Sequence, residues 1–214
     1  MFEIVLLRVF IAIAMLGIAS YYDLKSREVN DRIWIVFGVS GAFLYIFDVP
    51  ILSHMTLIGI SLGILTTIFC WVLRLCGSAD VLCVIALSVI LPAYNDIPVA
   101  IIVLVIAAAM STAYVTASNV YKNTKSIIMN KTIFPEINEP AYKKLAAFFI
   151  IHQRTRNEKH GLPADSMANG KRKFIFRHSP DTEKFGNGKY VMSAVPLMPF
   201  LMIGLMCFIT IWRS

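Results

Sequence analysis

The sequence predicts an all-α polytopic membrane protein: six transmembrane helices, with a small α+β cytoplasmic insertion between the fifth and the sixth. Three observations predict it. The 214 residues are 57% hydrophobic and only 15% charged, against about 25% charged in ordinary soluble domains, so there is too little polar content to cover a soluble globule. Six apolar runs recur along the chain, several near the ~20 residues that a bilayer core demands of a helix. The charge is concentrated: residues 121–190 hold 14 of the 20 Lys and Arg and 6 of the 13 Asp and Glu.

The runs are, in order, about Ile4–Tyr22, Ile33–Phe47, Leu57–Leu75, Val81–Leu91, Val99–Val120 and Val191–Trp212. This divides the chain into membrane helices one to five over 1–120, a polar subdomain over 121–190 and a last helix over 191–214. The fourth run is short, covering only about 17 Å as a helix. It is extended by its flanks, or the bilayer thins there, or the Gly77 turn is recessed in a wet pocket, because irregular backbone at membrane depth must be buried or water-lined. A secretory-leader reading of the first run would use Arg8 as the basic region and Gly17-Ile18-Ala19 as the cleavage site. Glu3 and the five further runs argue against it.

Basic residues set the orientation. The loop after the first run carries Lys25, Arg27 and Arg32, the third loop Arg74 and the fifth fourteen, whereas the second and fourth carry none. The positive-inside rule puts loops one, three and five in the cytoplasm and both termini outside. The basic insertion reads as a surface facing anionic lipid, and no nucleic-acid motif is present. Within it, Asn138-Glu139-Pro140 predicts a helix start. A helix follows over Tyr142–Arg156, lying on the membrane or under the bundle. Short strands are expected at Lys173–Arg177 and Lys189–Met192, with turns over 160–170 and 179–188.

Cys70, Cys76, Cys83 and Cys207 form no C-x-x-C pair and read as small apolar packing residues. His152, His160 and His178 lack ligand-like spacing. No metal or other cofactor is expected.

Chemistry concentrates on two aspartates at the cytoplasmic ends of helices. Asp23 closes the first run and Asp80 opens the fourth, after Gly77-Ser78-Ala79. An ionisable group at membrane depth is costly and marks function. Two carboxylates that meet across a bundle share a proton, so one acts as base toward water while the other acts as acid. Such a pair titrates as a unit, and neither is assigned as the base. The structural alternatives are an ion pair of Asp23 with Lys25 or Arg27, and a helix-capping role for Asp80. Asp48 and Asp96 read as solvated turn residues on the outer side.

The stretch Asp23-Leu24-Lys25-Ser26-Arg27-Glu28-Val29-Asn30, with Trp34 beyond it, resembles the first signature of the type IV prepilin peptidase family, and most resembles its archaeal preflagellin branch. Gly77-Ser78-Ala79-Asp80 resembles the second signature, a GxGD box, with alanine for the second glycine. Val195-Pro196-Leu197-Met198-Pro199-Phe200-Leu201 resembles the proline-rich opening of that family's last helix. The resemblance implies a membrane aspartic endopeptidase with Asp23 and Asp80 catalytic and Lys25, Arg27, Glu28 and Gly77 as supporting motif residues. It implies preflagellin or prepilin-like precursors with short basic leaders as substrates. It implies no methyltransferase activity, since the larger N-terminal region and paired C-x-x-C of bifunctional members are not found here. Glu28 and Asp31 are then candidate contacts for a basic leader. The competing readings are another GxGD intramembrane peptidase, whose late Pro-Ala-Leu is Pro196-Leu197-Met198 here, and a proton- or ion-coupled transport subunit using the two aspartates as a relay.

Overall fold

A computed structural model describes residues 2–47, 54–73, 77–94, 97–129, 132–137, 139–154, 161–168, 171–176, 188–193 and 195–213. Asp48, Arg74, Cys76, Asp96, His160 and His178 lie outside the described residues. The chain is mostly helical with a small strand-containing region. It divides into two units, residues 1–110 with 196–214, and residues 111–195.

The first unit is built from α1 (Phe2–Ser26), α2 (Arg32–Phe43), α3 (His54–Val72), α4 (Ser78–Ile90), the first part of α5 (Val99–Ile128) and α7 (Leu197–Arg213). A 3-10 turn, Leu44–Ile46, extends α2. α1 packs on α7, and α4 lies between α2 and α3. Glycines set how closely these helices approach. A Cβ on Gly41 would sit 2.6 Å from Ile90 Cγ1, and one on Gly204 would sit 2.9 Å from the Val103 carbonyl oxygen. Gly63 would likewise overlap the Ser88 side chain. Small residues at helix crossings let backbones meet, as in membrane bundles where dispersion rather than water drives association. The apolar core runs through Met15, Leu16, Cys83, Leu87, Val103 and Leu205. Arg8 is buried within it, 3% exposed. Its Nη1 donates to the Ile90 carbonyl at 3.1 Å, and its guanidinium lies 4.1 Å from the centre of the Tyr45 ring.

Two helices, α1 over Glu3–Ser26 and α5, are long and apolar enough to cross a membrane; α2, α3, α4 and α7 supply shorter apolar stretches. The fourth helix begins three residues before the predicted run, yet its 13 residues still rise only about 20 Å.

The second unit holds the end of α5, then α6 (Ala141–Ile150), β1 (Ile151–Gln153), β2 (Gly161–Pro163), β3 (Asp165–Ala168), β4 (Lys171–Phe174) and β5 (Tyr190–Ser193). β5 is the centre of an antiparallel sheet of order β1-β5-β2, with His152 opposite Val191 and Leu162 opposite Met192. β3 and β4 form a separate hairpin. Phe134, Phe174 and Tyr190 make the aromatic centre of its core, with ring centroids 5.0 and 5.3 Å apart.

Several expectations are corrected here. The helix expected over Tyr142–Arg156 stops at Ile150, because residues 151–153 pair with β5. The side chains of Asn119 and Asn123 on α5 also take the carbonyls that a longer α6 would use. Asn119 Nδ2 donates to Phe149 and Ile150 at 3.0 and 2.9 Å, and Asn123 Nδ2 to Phe148 and Ile151, both at 2.8 Å. Residues 161–168, expected as turns, are strands β2 and β3. The strand expected at 173–177 lies at 171–174. The last apolar run does not enter its helix at Val191: residues 190–193 are β5, and α7 starts at Leu197 after Pro196. His152 is fully buried. Lys122 Nζ lies 3.0 Å from its Nε2 and Asn119 Oδ1 lies 2.8 Å from its Nδ1. A lysine ammonium only donates, so Nε2 accepts and Nδ1 carries the proton toward Asn119.

Candidate active site

Helix ends of the first unit bring the site together. Asp23 lies in the last turn of α1, with its side chain only 13% exposed. Its Oδ2 accepts a 3.1 Å hydrogen bond from the Met198 backbone N–H, 175 positions away in sequence. Met198 is the second residue of α7. The first N–H groups of any helix have no partner within it, and the helix dipole favours an anion there. Pro196 and Pro199 flank Met198 and carry no N–H of their own. The sequence marked this proline-rich segment by resemblance alone, with no role attached to Met198.

Asp80 occupies the third position of α4, in a capping box with Gly77 as the N-cap. Its Oδ2 accepts from the Gly77 N–H at 3.0 Å. The capping alternative is therefore real in form: Asp80 does satisfy the start of α4. That use engages one carboxylate oxygen and leaves Oδ1. Gly77 has φ −74° and ψ 165°, a conformation open to most residues, and a Cβ there would sit 3.4 Å from Asp80 Oδ2. The structure needs the Gly77 N–H, not glycine's conformational freedom. The Asp23 carboxylate acts electrostatically on Asp80. Cys83, one turn after Asp80, is buried in the apolar core, as its packing role predicts, and lies within the field of both carboxylates.

The polar segment after Asp23 is ordered by its own backbone. α1 closes at Ser26, and Arg27 turns the chain with φ 61° while its N–H donates to the Asp23 carbonyl at 3.2 Å. Arg27 Nη1 lies 4.0 Å from Asp23 Oδ1. The Nε and Nη1 of Arg27 are buried with no hydrogen-bond partner among the described residues. Lys25 reaches Tyr21, with Nζ 3.4 Å from the phenol oxygen. Ser26 Oγ lies 3.0 Å from the Tyr22 carbonyl oxygen and 3.1 Å from that of Glu28, and shares its one proton between them. Glu28 and Asp31 are exposed, and Trp34 is buried in the core beyond them. Of the motif residues, Asp23 and Arg27 approach to 4.0 Å and Gly77 and Asp80 share a capping box, while Lys25, Glu28 and Asp31 lie on the exposed surface. No group of three or more metal-ligating side chains occurs among the described residues.

Each carboxylate is oriented by one backbone N–H at a helix start, and each keeps its Oδ1 outside that bond. The arrangement defines a class: a mostly helical protein with two long apolar helices that holds two poorly hydrated carboxylates at helix ends, one acting electrostatically on the other. Residues 10–114 match the model of the type IV leader peptidase family, which supports membership of that family for the chain. The matched stretch contains Asp23, Arg27, Gly77 and Asp80. Met198 lies beyond it. The family implies a peptidase, and the match and the two long helices together point to a membrane protein. No curated protein matches the chain.

Proposed function

We propose that the chain is a membrane aspartic endopeptidase that removes short basic leaders from preflagellin or prepilin-like precursors at the cytoplasmic face. The observation that carries this reading is the pair Asp23 and Asp80, each tied through Oδ2 to a helix-start N–H, with Asp23 acting electrostatically on Asp80. In such a pair the ionised member takes a proton from water, and the protonated member donates to the scissile carbonyl oxygen. Water then attacks the carbonyl carbon, and the proton taken from it passes to the leaving amine. Six spans with both termini outside, and residues 121–190 inside, follow from the distribution of Lys and Arg. That orientation sets both aspartates on the side where a basic leader is made.

The test is processing of a precursor with a basic leader, read as a gel shift with purified enzyme. Asp23→Asn and Asp80→Asn should each abolish cleavage while still accumulating in the membrane. The double variant should be scarcely worse, because members of a cooperating pair are not additive. Clear processing by either single variant refutes the dyad and favours an ion-relay role.

A further inference from the structure

The second unit presents an apolar surface that peptidase chemistry does not use. On α6, Tyr142, Leu145, Phe149 and Ile150 are 70%, 63%, 43% and 42% exposed. With about 100° between successive helix residues, these four and the exposed Ala141 and Ala146 cover one half of the cylinder. Lys143 falls just past one edge of that half, with its ammonium bonded to Glu139 at 2.8 Å, and Lys144 lies about 60° outside the other. Ala147, the buried residue of the helix, falls between the two lysines. An exposed apolar half-cylinder with both lysines of the helix outside it is the pattern of a helix lying in a membrane interface, apolar face down.

Two further observations favour a bilayer as the occupant. The first is depth. α5 is long and apolar enough to span, and from Val99 it rises about 30 Å, one hydrocarbon core, by Asn119. Asn119 and Asn123 hold the carbonyls of residues 148–151 at 2.8–3.0 Å. The end of α6 is therefore fastened to α5 where that helix leaves the hydrocarbon. Tyr114 and Tyr121, 60% and 68% exposed, flank the same level, as interfacial aromatics do. The second is charge. Residues 111–195 carry 14 Lys and Arg against 6 Asp and Glu, which suits an anionic leaflet.

We propose that α6 is an interfacial anchor, its Tyr142, Leu145, Phe149 and Ile150 face set into the headgroup layer of an anionic leaflet. This rests on the membrane reading of α5 and not on the catalytic dyad. It ties the basic unit to the bilayer surface, the plane in which a membrane-anchored precursor would present its leader.

The test uses the full chain in vesicles of phosphatidylcholine, with or without phosphatidylglycerol. An environment-sensitive fluorescent amino acid is placed at position 145, 149 or 105 in turn. Val105, 61% exposed on α5, reports hydrocarbon. Probes at 145 and 149 should shift to the blue and be quenched by headgroup-level nitroxide lipids, and the probe at 105 by deep ones. Quenching at 145 and 149 should be stronger with phosphatidylglycerol than without it. Quenching at 105 without quenching at 145 or 149 overturns the anchor and leaves the membrane reading standing. No quenching at 105 overturns both. A signal at 145 that tracks protein-to-lipid ratio, or appears only with added precursor, assigns the face to a second copy or to substrate and overturns the proposal.

Discussion

Arg27 is a residue whose backbone and side chain can be tested apart. Its φ of 61° is the left-handed region, which costs a residue with a Cβ roughly 1–2 kcal/mol and costs glycine almost nothing. Its guanidinium lies 4.0 Å from Asp23 Oδ1, with the two side chains only 19% and 13% exposed. Two of its donors have no hydrogen-bond partner among the described residues. We predict that those donors engage the substrate beside Asp23. Arg27→Ala keeps the strain and loses the guanidinium, whereas Arg27→Gly loses both. The glycine variant should therefore be the more stable by about 1 kcal/mol, or about 2–4 °C in a chain of this size. Cleavage should fall alike in both. A hydrogen bond to a charged group is worth about 1.5–3 kcal/mol, so the loss in kcat/KM should be roughly 10- to 150-fold. Arg27→Lys should recover part of it, keeping charge without the planar fork. Thermal inactivation of purified enzyme reads the first quantity and precursor cleavage the second. Wild-type cleavage by Arg27→Gly would refute the role of the guanidinium. Activity that tracks stability across the three variants would show that Arg27 acts only by shaping the turn.

Three shorter predictions follow from the site and its surroundings. Gly77→Ala should cleave nearly as the natural enzyme does, while Gly77→Pro, which keeps φ near −74° but deletes the N–H bonded to Asp80, should lose about tenfold or more in kcat; equal activity of the two would remove the Gly77 N–H from the site. If Glu28 and Asp31 hold a basic leader, neutralising both should raise KM for a basic leader more than for one whose charges are removed, and equal effects would refute the contact. Glu136 accepts from Lys189 and pairs with Arg172 at 3.2 Å, and the Lys189 hydrogen bond holds its carboxyl below the usual glutamate range. A lowered folded-state value makes the contact favour the fold at neutral pH and lapse as pH falls through that value. In carboxyl NMR of the full chain, Lys189→Ala should move the Glu136 midpoint upward, and an unmoved midpoint would refute the coupling.

What the sequence disclosed follows the range of the forces involved. α1 and α5 were legible because long apolar runs carry their own signal. Asp23 and Asp80 stood out because an ionisable group beside such a run is costly; the structure also places Asp23 beside Arg27 and Asp80 in a capping box, the two structural roles weighed for them. The end of α6 was not, because it is decided by Asn119 and Asn123, roughly thirty positions upstream, and by pairing with β5. Gly161-Leu162-Pro163-Ala164-Asp165 reads locally as a turn. It is extended because Leu162 and Pro163 pair with Met192 and Val191, a partner about thirty positions downstream that overrides propensity. The hydrogen bond from Met198 to Asp23 spans 175 positions, so no local pattern could announce it.

That long bond also explains how the site is assembled. The family match ends at Tyr114, yet one of the two carboxylates takes its backbone donor from α7, beyond the whole second unit in sequence. Asp80 is oriented within its own helix turn by a donor three residues away, so it is fixed as soon as α4 forms. Asp23 is oriented only when α7 packs on α1. Gly204 permits the close approach of α7 to α5 at Val103, and the first turn of α7 then presents its N–H to Asp23. A bulky residue at Gly204 therefore threatens the setting of Asp23 from a distance while leaving the Gly77–Asp80 capping box untouched. The two carboxylates have equal chemistry but unequal dependence on the fold, and Asp23 is the member that the packing of the last helix controls.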